Sequence, residues 1–227
     1  MLADWRAGLR FVRRDGALRV LFAASALSGV AEGVFLTLGL APLVLDVMGG
    51  SPAQVGWRGT AQAVGGLIAG VVIAHAGHRL TKRWLLGGGL VGLGLADLSA
   101  FNARHVAGPG TPAVGVAMGC MLLAGFPVVA SGAGRQTLVQ AQAADAYRGR
   151  VFGALGAVQG VALLIGFGVG GVLGDDIGLA PVLSASAGLR NLGGLVALGL
   201  LPRHARAGSP RPSASFGGGS ASSCRRG

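Results

Sequence analysis

The sequence contains little charge, few aromatic residues and almost no cysteine. Only 12% of its 227 residues are charged, against about 25% in an ordinary soluble domain, whereas 52% are hydrophobic. A chain of this composition has too few polar side chains to cover its own surface in water. The scarcity of charge therefore excludes an ordinary soluble protein and indicates that the lipid bilayer is the chain's surroundings.

Acidic residues are the scarcer of the charged types, since 19 Lys and Arg outnumber 8 Asp and Glu and the net charge is +11. The basic residues form short clusters beside apolar segments, without a basic face interleaved with stacking aromatic rings. We therefore expect them to contact anionic lipid, and we expect no nucleic-acid partner. The two cysteines, Cys120 and Cys224, have no Cys or His at ligand spacing, so no metal site or disulfide framework is predicted.

Long apolar runs dominate what is present. There are six, each about twenty residues long, which is enough to cross roughly 30 Å of hydrocarbon. The sequence therefore predicts an all-α membrane protein with six transmembrane helices. Their expected bounds are 18–40, 55–76, 84–103, 113–136, 151–174 and 179–201.

The segments between and around these runs predict the organisation of the chain. Residues 1–16 repeat apolar side chains at helical spacing and should form an amphipathic interfacial helix, followed by a transmembrane bundle over 17–201. Residues 202–227 are rich in Ser, Gly and Arg and are expected to be a disordered cytoplasmic tail. Loops are predicted at 42–52 and 104–112, a polar connection at 140–150 and a tight turn at Asp175-Asp176.

The distribution of Lys and Arg predicts the orientation of the bundle. Basic groups lie in the N-terminal segment, in the second and fourth connections, and in the C-terminal tail. By the positive-inside rule, both termini are expected on the cytoplasmic side of a cell (plasma or inner) membrane, in a multi-pass protein.

Ionisable residues inside the apolar runs are the first candidates for function, because they are costly in hydrocarbon. Glu32 lies near the middle of the first run, where a carboxyl group can bind and release a proton. It could instead be a neutral acid hydrogen-bonded between helices, or be paired structurally with an arginine. Asp97 and Arg190 lie at similar depths in the third and sixth runs, and Arg190 is too central for its head group to reach the interface easily.

Several short stretches have a familiar pattern. They are GLRFVRR at 8–14 with ALR at 17–19, QVG at 54–56, GHRLTKR at 77–83 and RGRVFG at 148–153. Together they resemble the major facilitator superfamily of transporters, with the bacterial drug and siderophore exporters as the closest branch. The resemblance extends over about residues 8–200, and RGRVFG is its most specific part.

This resemblance implies a function and a larger architecture. Members have twelve spans in two halves, so the chain is similar to the C-terminal half, and its expected partners are a small-molecule substrate and a second copy or separate N-terminal half. We expect proton-coupled efflux by alternating access, with no cofactor and no enzymatic activity. A truncated, non-transporting fragment or a membrane scaffold is the alternative.

The resemblance also implies roles for particular residues. It places Glu32 and Arg135 on helices that line the central cavity, where Arg135 could hold an anionic substrate group or exchange partners with Glu32. An arginine reaching lipid phosphate is the other interpretation of Arg135. Gln62 and Gln159 are further candidates for the substrate or proton pathway, although they could simply bond neighbouring helices.

The third and sixth spans are supporting helices in the family. A pair between Asp97 and Arg190 would therefore be structural. The basic loop resembles the cytoplasmic gating loop, whose residues here are His78, Arg79, Lys82 and Arg83. Unlike the family pattern, no acidic residue precedes the basic ones.

An intramembrane serine protease is the competing class that the sequence argues against. Such an enzyme needs a glycine two residues before a serine that is followed by glycine, and a histidine base within the membrane. Val129 stands where that glycine would precede Ser131, and no histidine lies in the last three runs.

Overall fold

The computed structural model describes residues 15–77, 80–108, 111–143 and 145–201. Six helices in these ranges are long and apolar enough to cross a membrane, in agreement with the sequence prediction. The α-helices in these spans are α1 (Gly16–Val34), α2 (Pro52–Ala76), α3 (Gly89–Phe101), α4 (Thr111–Gln142), α5 (Asp145–Ile177) and α6 (Leu179–Leu200). The first span continues beyond α1 to Gly39, and the third begins before α3 at Trp84.

Three π-helical turns and one short helix complete the described elements. The turn Phe35–Gly39 extends α1, and the turn Trp84–Gly88 leads into α3. The turn Leu43–Val47 and the helix Ala103–Ala107 lie in two of the connections. The rest of the amphipathic helix predicted for 1–16, beyond Asp15 and Gly16, and the tail predicted for 202–227 lie outside the described residues.

Polar residues at the helix ends determine where α1 and α2 begin. The carboxylate of Asp15 accepts hydrogen bonds from the backbone N–H groups of Ala17 at 2.8 Å and Leu18 at 3.2 Å. Before α2, the backbone N–H of Ser51 donates to Oε1 of Gln54 at 2.8 Å. Such contacts satisfy backbone groups that the first turn of a helix leaves unpaired.

The connections differ from the sequence prediction. The predicted loops at 42–52 and 104–112 each contain helical structure, namely Leu43–Val47 and Ala103–Ala107. The predicted tight turn at Asp175-Asp176 is wrong, because α5 continues to Ile177 and the chain reverses at Gly178. Gly178 has a φ of 97°, which only glycine adopts without strain, whereas the acidic pair is compatible with a helix end.

The helices near the polar segment 140–150 are longer than predicted. α4 continues to Gln142 and α5 starts at Asp145, so both extend past the apolar runs that predicted them. A helix can continue beyond the hydrocarbon because its backbone hydrogen bonds are internal, whereas hydropathy marks only the part that lies in lipid.

The bundle is built around α1 and α4. α1 packs against α5 and α6, α4 packs against α2 and α3, and α3 packs against α6. Glycine allows several of these close approaches. For example, a Cβ atom built on Gly33 would lie only 2.8 Å from Cα of Gly166 on α5. Small residues commonly permit such approaches in membrane proteins, where packing drives association.

Two apolar clusters occupy opposite ends of the bundle. One includes Phe35, Phe101 and Leu183, and the other includes Leu21, Leu86 and other side chains near the starts of α1 and α3. On α1, α3 and α6, a short stretch separates the residues of one cluster from those of the other. These three stretches contain the ionisable residues described next.

Candidate functional site

Arg190 is the centre of an ionic cluster between the two apolar clusters. Its Nη1 lies 3.0 Å from Oδ2 of Asp97, and its Nη2 lies 2.7 Å from Oε2 of Glu32. The side chains of Arg190 and Asp97 are 3% and 4% exposed, whereas that of Glu32 is 45% exposed. One guanidinium therefore bridges α1, α3 and α6 through two carboxylates.

This cluster contains two contacts, and the sequence named both partners for only one of them. The sequence left open that Glu32 pairs with an arginine, without indicating which one. Asp97 and Arg190 lie together, as their similar depths suggested, but Glu32 shares the same arginine. Both carboxylates pair with Arg190, and they differ in how far their side chains are exposed. A carboxylate that is both ion-paired and open on one side can exchange partners or a proton, whereas Asp97 is enclosed.

Glu32 is exposed to a pocket of about 300 Å³ between α1, α4 and α5. Its lining residues are Ser28, Gly29, Glu32, Arg135, Gln159, Gly160 and Leu163. Three of the four pathway residues suggested by the sequence therefore meet at one pocket. The fourth, Gln62, is half-buried on α2 and does not line this pocket.

Arg135 faces Glu32 across this pocket but has no hydrogen-bond partner among the residues that the structure describes. Its Nε atom is buried and unpaired. Since a guanidinium carries five N–H donors and no acceptor, Arg135 can bind only groups that accept hydrogen bonds.

Arg58 is a buried arginine for which the sequence predicts no role. It lies in the second turn of α2, is 3% exposed, and donates a hydrogen bond through Nη1 to the carbonyl oxygen of Gly39. Its guanidinium also lies 5.5 Å from the ring centroid of Phe35. Arg58 thus binds the π-helical end of the first span, a pairing that the sequence did not indicate.

Part of the predicted gating loop lies outside the described residues, namely His78 and Arg79. Lys82 and Arg83 begin the helical segment that leads into the turn Trp84–Gly88, and both are half-buried. The gating role of all four residues stays a prediction.

The comparison with known families gives one match. The family model described as Major Facilitator Superfamily matches residues 21–222, which includes all six helices except the first turns of α1. No curated protein and no solved structure matches the sequence.

Proposed function

The chain belongs to the major facilitator superfamily, whose members move small molecules across membranes, and we propose that it performs proton-coupled efflux by alternating access, as one half of a transporter. Membership in this family identifies a multi-pass membrane protein of a transporter family, which is not a family of enzymes. The coupling ion, the export direction and the half-transporter architecture are the proposed parts.

The observation that best supports the proposal is the pocket lined by Glu32, Arg135 and Gln159. It combines opposite charges and an amide at one place in an otherwise apolar bundle. Such groups are costly in a membrane and typically mark the path of a substrate or an ion. In this proposal, Gln159 contacts the substrate and Gln62 lies along the route to the pocket.

Glu32 is the proposed proton site, for a reason that depends on its neighbours. It faces Arg190 on α6 and Arg135 on α4, while Asp97 on α3 shares Arg190. Protonation of Glu32 would weaken its pair with Arg190 without exposing Asp97. The two arginines could then rearrange as the transporter changes conformation, whereas the enclosed Asp97–Arg190 pair would keep α3 and α6 together.

The half-transporter architecture is supported by faces of α2 and α5 that no described residue covers. Of the most apolar 18-residue segment of each span, 11% is buried in α2 and 28% in α5, against 56% in the first span. On α5, Cβ atoms added to Gly156 and Gly160 would meet nothing within 4 Å. We propose that these faces pack against a second six-helix half, contributed by a second copy or a separate chain, so that the pocket becomes a closed central cavity.

The proposed orientation keeps the basic connections on the cytoplasmic side of the cell membrane. Lys82 and Arg83 would then lie at the cytoplasmic gate, together with His78 and Arg79. Labelling of single cysteines introduced at Lys82 and at Asp46 with a membrane-impermeant maleimide on intact cells tests this orientation. The proposal predicts that only the cysteine at position 46 is labelled. Labelling of only the cysteine at position 82 would show the opposite orientation.

Transport and assembly can be measured on the same purified chain. The mass of the protein in detergent reports assembly. Proteoliposomes loaded with benzenesulfonate or phenyltrimethylammonium report transport, because these permanent ions cross lipid poorly on their own. If the second half is a second copy, the proposal predicts an assembly larger than one chain and release of at least one probe above the rate of empty liposomes.

Gly156→Leu is the matched test of the proposed interface, with Gly188→Leu on α6 as its control. Both glycines have open space around the missing Cβ atom. We expect Gly156→Leu to reduce assembly and Gly188→Leu to leave it unchanged. A strictly monomeric chain that transports neither probe would contradict a half-transporter built from two copies of this chain. The second half would then have to be a separate chain, or the protein would be the alternative, a non-transporting fragment or scaffold.

A further inference from the structure

The pocket between α1, α4 and α5 contains two charged groups in unequal situations. Glu32 already has a counter-charge, because its Oε2 atom lies 2.7 Å from Nη2 of Arg190. Arg135 has no hydrogen-bond partner among the described residues, although it shares the pocket with Glu32. The unmet requirement of the pocket is therefore for a hydrogen-bond acceptor at the guanidinium of Arg135.

A bound cation would fit this pocket poorly. It would have to share Glu32 with Arg190 and would lie near the positive charge of Arg135. A bound anion would instead satisfy the unpaired guanidinium and leave the Glu32–Arg190 pair intact. Planar carboxylates suit this role, because they accept two parallel hydrogen bonds from one guanidinium.

We infer that this pocket binds the anionic group of an amphipathic small molecule, with Arg135 as the principal donor. The amide of Gln159 can donate a further hydrogen bond, and Leu163 supplies apolar surface for the rest of the ligand. This inference rests on the proposed transport function and adds to it the charge of the substrate. The phosphate of a lipid headgroup has the same hydrogen-bonding chemistry, so the experiment must distinguish it from a dissolved ligand.

Three planar molecules of nearly the same shape separate the possibilities by charge. Benzoate is an anion, benzamidine a cation and benzamide neutral at pH 7. Binding of each to the full chain, in nanodiscs of phosphatidylcholine, can be measured by equilibrium dialysis. We expect saturable binding of benzoate that is at least about tenfold tighter than that of benzamide or benzamidine. The reason is that these two molecules cannot form the charged hydrogen bond between a carboxylate and Arg135.

Substitutions at Arg135 show whether this side chain is the donor. Arg135→Gln should weaken benzoate binding at least about tenfold, and Arg135→Lys should restore part of it by keeping the charge. Arg104→Gln is the control, because Arg104 is exposed and donates to the carbonyl oxygen of Val47 instead of lining the pocket. Arg135 has no described partner to lose, so its variants should fold, and their melting temperatures check this.

Specific outcomes would overturn the inference. Preference for benzamidine that disappears in Glu32→Gln would assign the pocket to cations. Benzoate binding that is equally tight in Arg135→Gln, or absent from the wild-type chain, would also contradict it. Benzoate binding that is absent in phosphatidylcholine nanodiscs but present in micelles of dodecyl maltoside, a detergent without phosphate, would assign Arg135 to a lipid headgroup.

The inference and the proposed function can fail separately. A chain that releases phenyltrimethylammonium from proteoliposomes but does not prefer benzoate would refute only the charge of the substrate. A chain that binds benzoate through Arg135 but transports neither permanent ion would refute only the transport function.

Discussion

Replacing Arg190 with glutamine should be among the most destabilising single changes in the polar part of this bundle. The guanidinium of Arg190 connects α6 to Asp97 on α3 and to Glu32 on α1. Arg190→Gln removes the positive charge from both carboxylates at once, while glutamine has a similar length and keeps some ability to form hydrogen bonds. The change therefore tests the ionic cluster more than the packing around it.

The expected magnitude follows from which carboxylate is enclosed. The side chain of Asp97 is 4% exposed, so in Arg190→Gln it would be a buried charge without a partner, which costs about 3–5 kcal/mol. Glu32 is 45% exposed and can be hydrated through its pocket, so its loss of a partner should add little. Asp97→Asn leaves the Glu32–Arg190 pair in place and should cost less, about 1–3 kcal/mol.

The double variant provides the sharper measurement. Once Asp97 is neutral, removing Arg190 no longer strands a buried charge. The double variant Asp97→Asn/Arg190→Gln should therefore be more stable than Arg190→Gln alone by about 1 kcal/mol or more. This magnitude lies within the range of coupling energies measured between contacting residues. The free energy of unfolding can be measured by titrating SDS into mixed micelles and following helix content by circular dichroism.

Arg104→Gln is the control for this series, because it also removes an arginine but from an exposed position with one backbone partner. It should change the free energy of unfolding by less than about 1 kcal/mol. The ionic cluster would be refuted as a stabilising element if Arg190→Gln behaved like this control. A double variant less stable than Arg190→Gln would equally show that Asp97 and Arg190 do not act as a pair.

Gly65→Ala and Arg58→Gln test contacts made by α2 in the same SDS titration, with Gly59→Ala as the control for the first. Gly65→Ala should cost about 1–3 kcal/mol, because a Cβ atom there would overlap the carbonyl of Leu122 on α4. Gly59→Ala on the same helix should be neutral or slightly stabilising, because a Cβ atom there has nothing within 4 Å. Equal effects of the two changes would contradict the close contact of α2 with α4. Arg58→Gln should cost about 1–3 kcal/mol, because it removes the guanidinium that binds the carbonyl oxygen of Gly39, and unchanged stability would show that this buried arginine is not needed there.

The number of membrane helices could be predicted from the sequence because it depends on local composition. Twenty consecutive apolar residues identify a span wherever it lies in the bundle. The ends of the helices were harder to predict from the sequence. Asp175-Asp176 suggested a turn, but the residue that allows the chain to reverse is Gly178, whose φ is positive. Residues beyond the apolar runs, such as Gln140, carry no hydropathy signal that separates helix from loop.

The composition of the ionic cluster depends on information that one sequence lacks. Depth along a span could be counted, and it placed Asp97 and Arg190 at similar levels. Which side of α1 faces α6 depends on how the helices rotate against each other, so the contact between Glu32 and Arg190, 158 residues apart, had no sequence signal. Arg58 was overlooked for a related reason, since an arginine near the start of a span is usually a solvent or headgroup residue.

The central claim is that Glu32 couples transport to protons at this pocket, and one measurement tests it most directly. Proteoliposomes containing the wild-type chain or Glu32→Gln are loaded with the permanent ion that the wild type transports, and a pH gradient is imposed. The account predicts that the gradient changes the transport rate of the wild type and of the Arg104→Gln control, but not that of Glu32→Gln. A Glu32→Gln variant that still responds to the pH gradient like the wild type would contradict the claim.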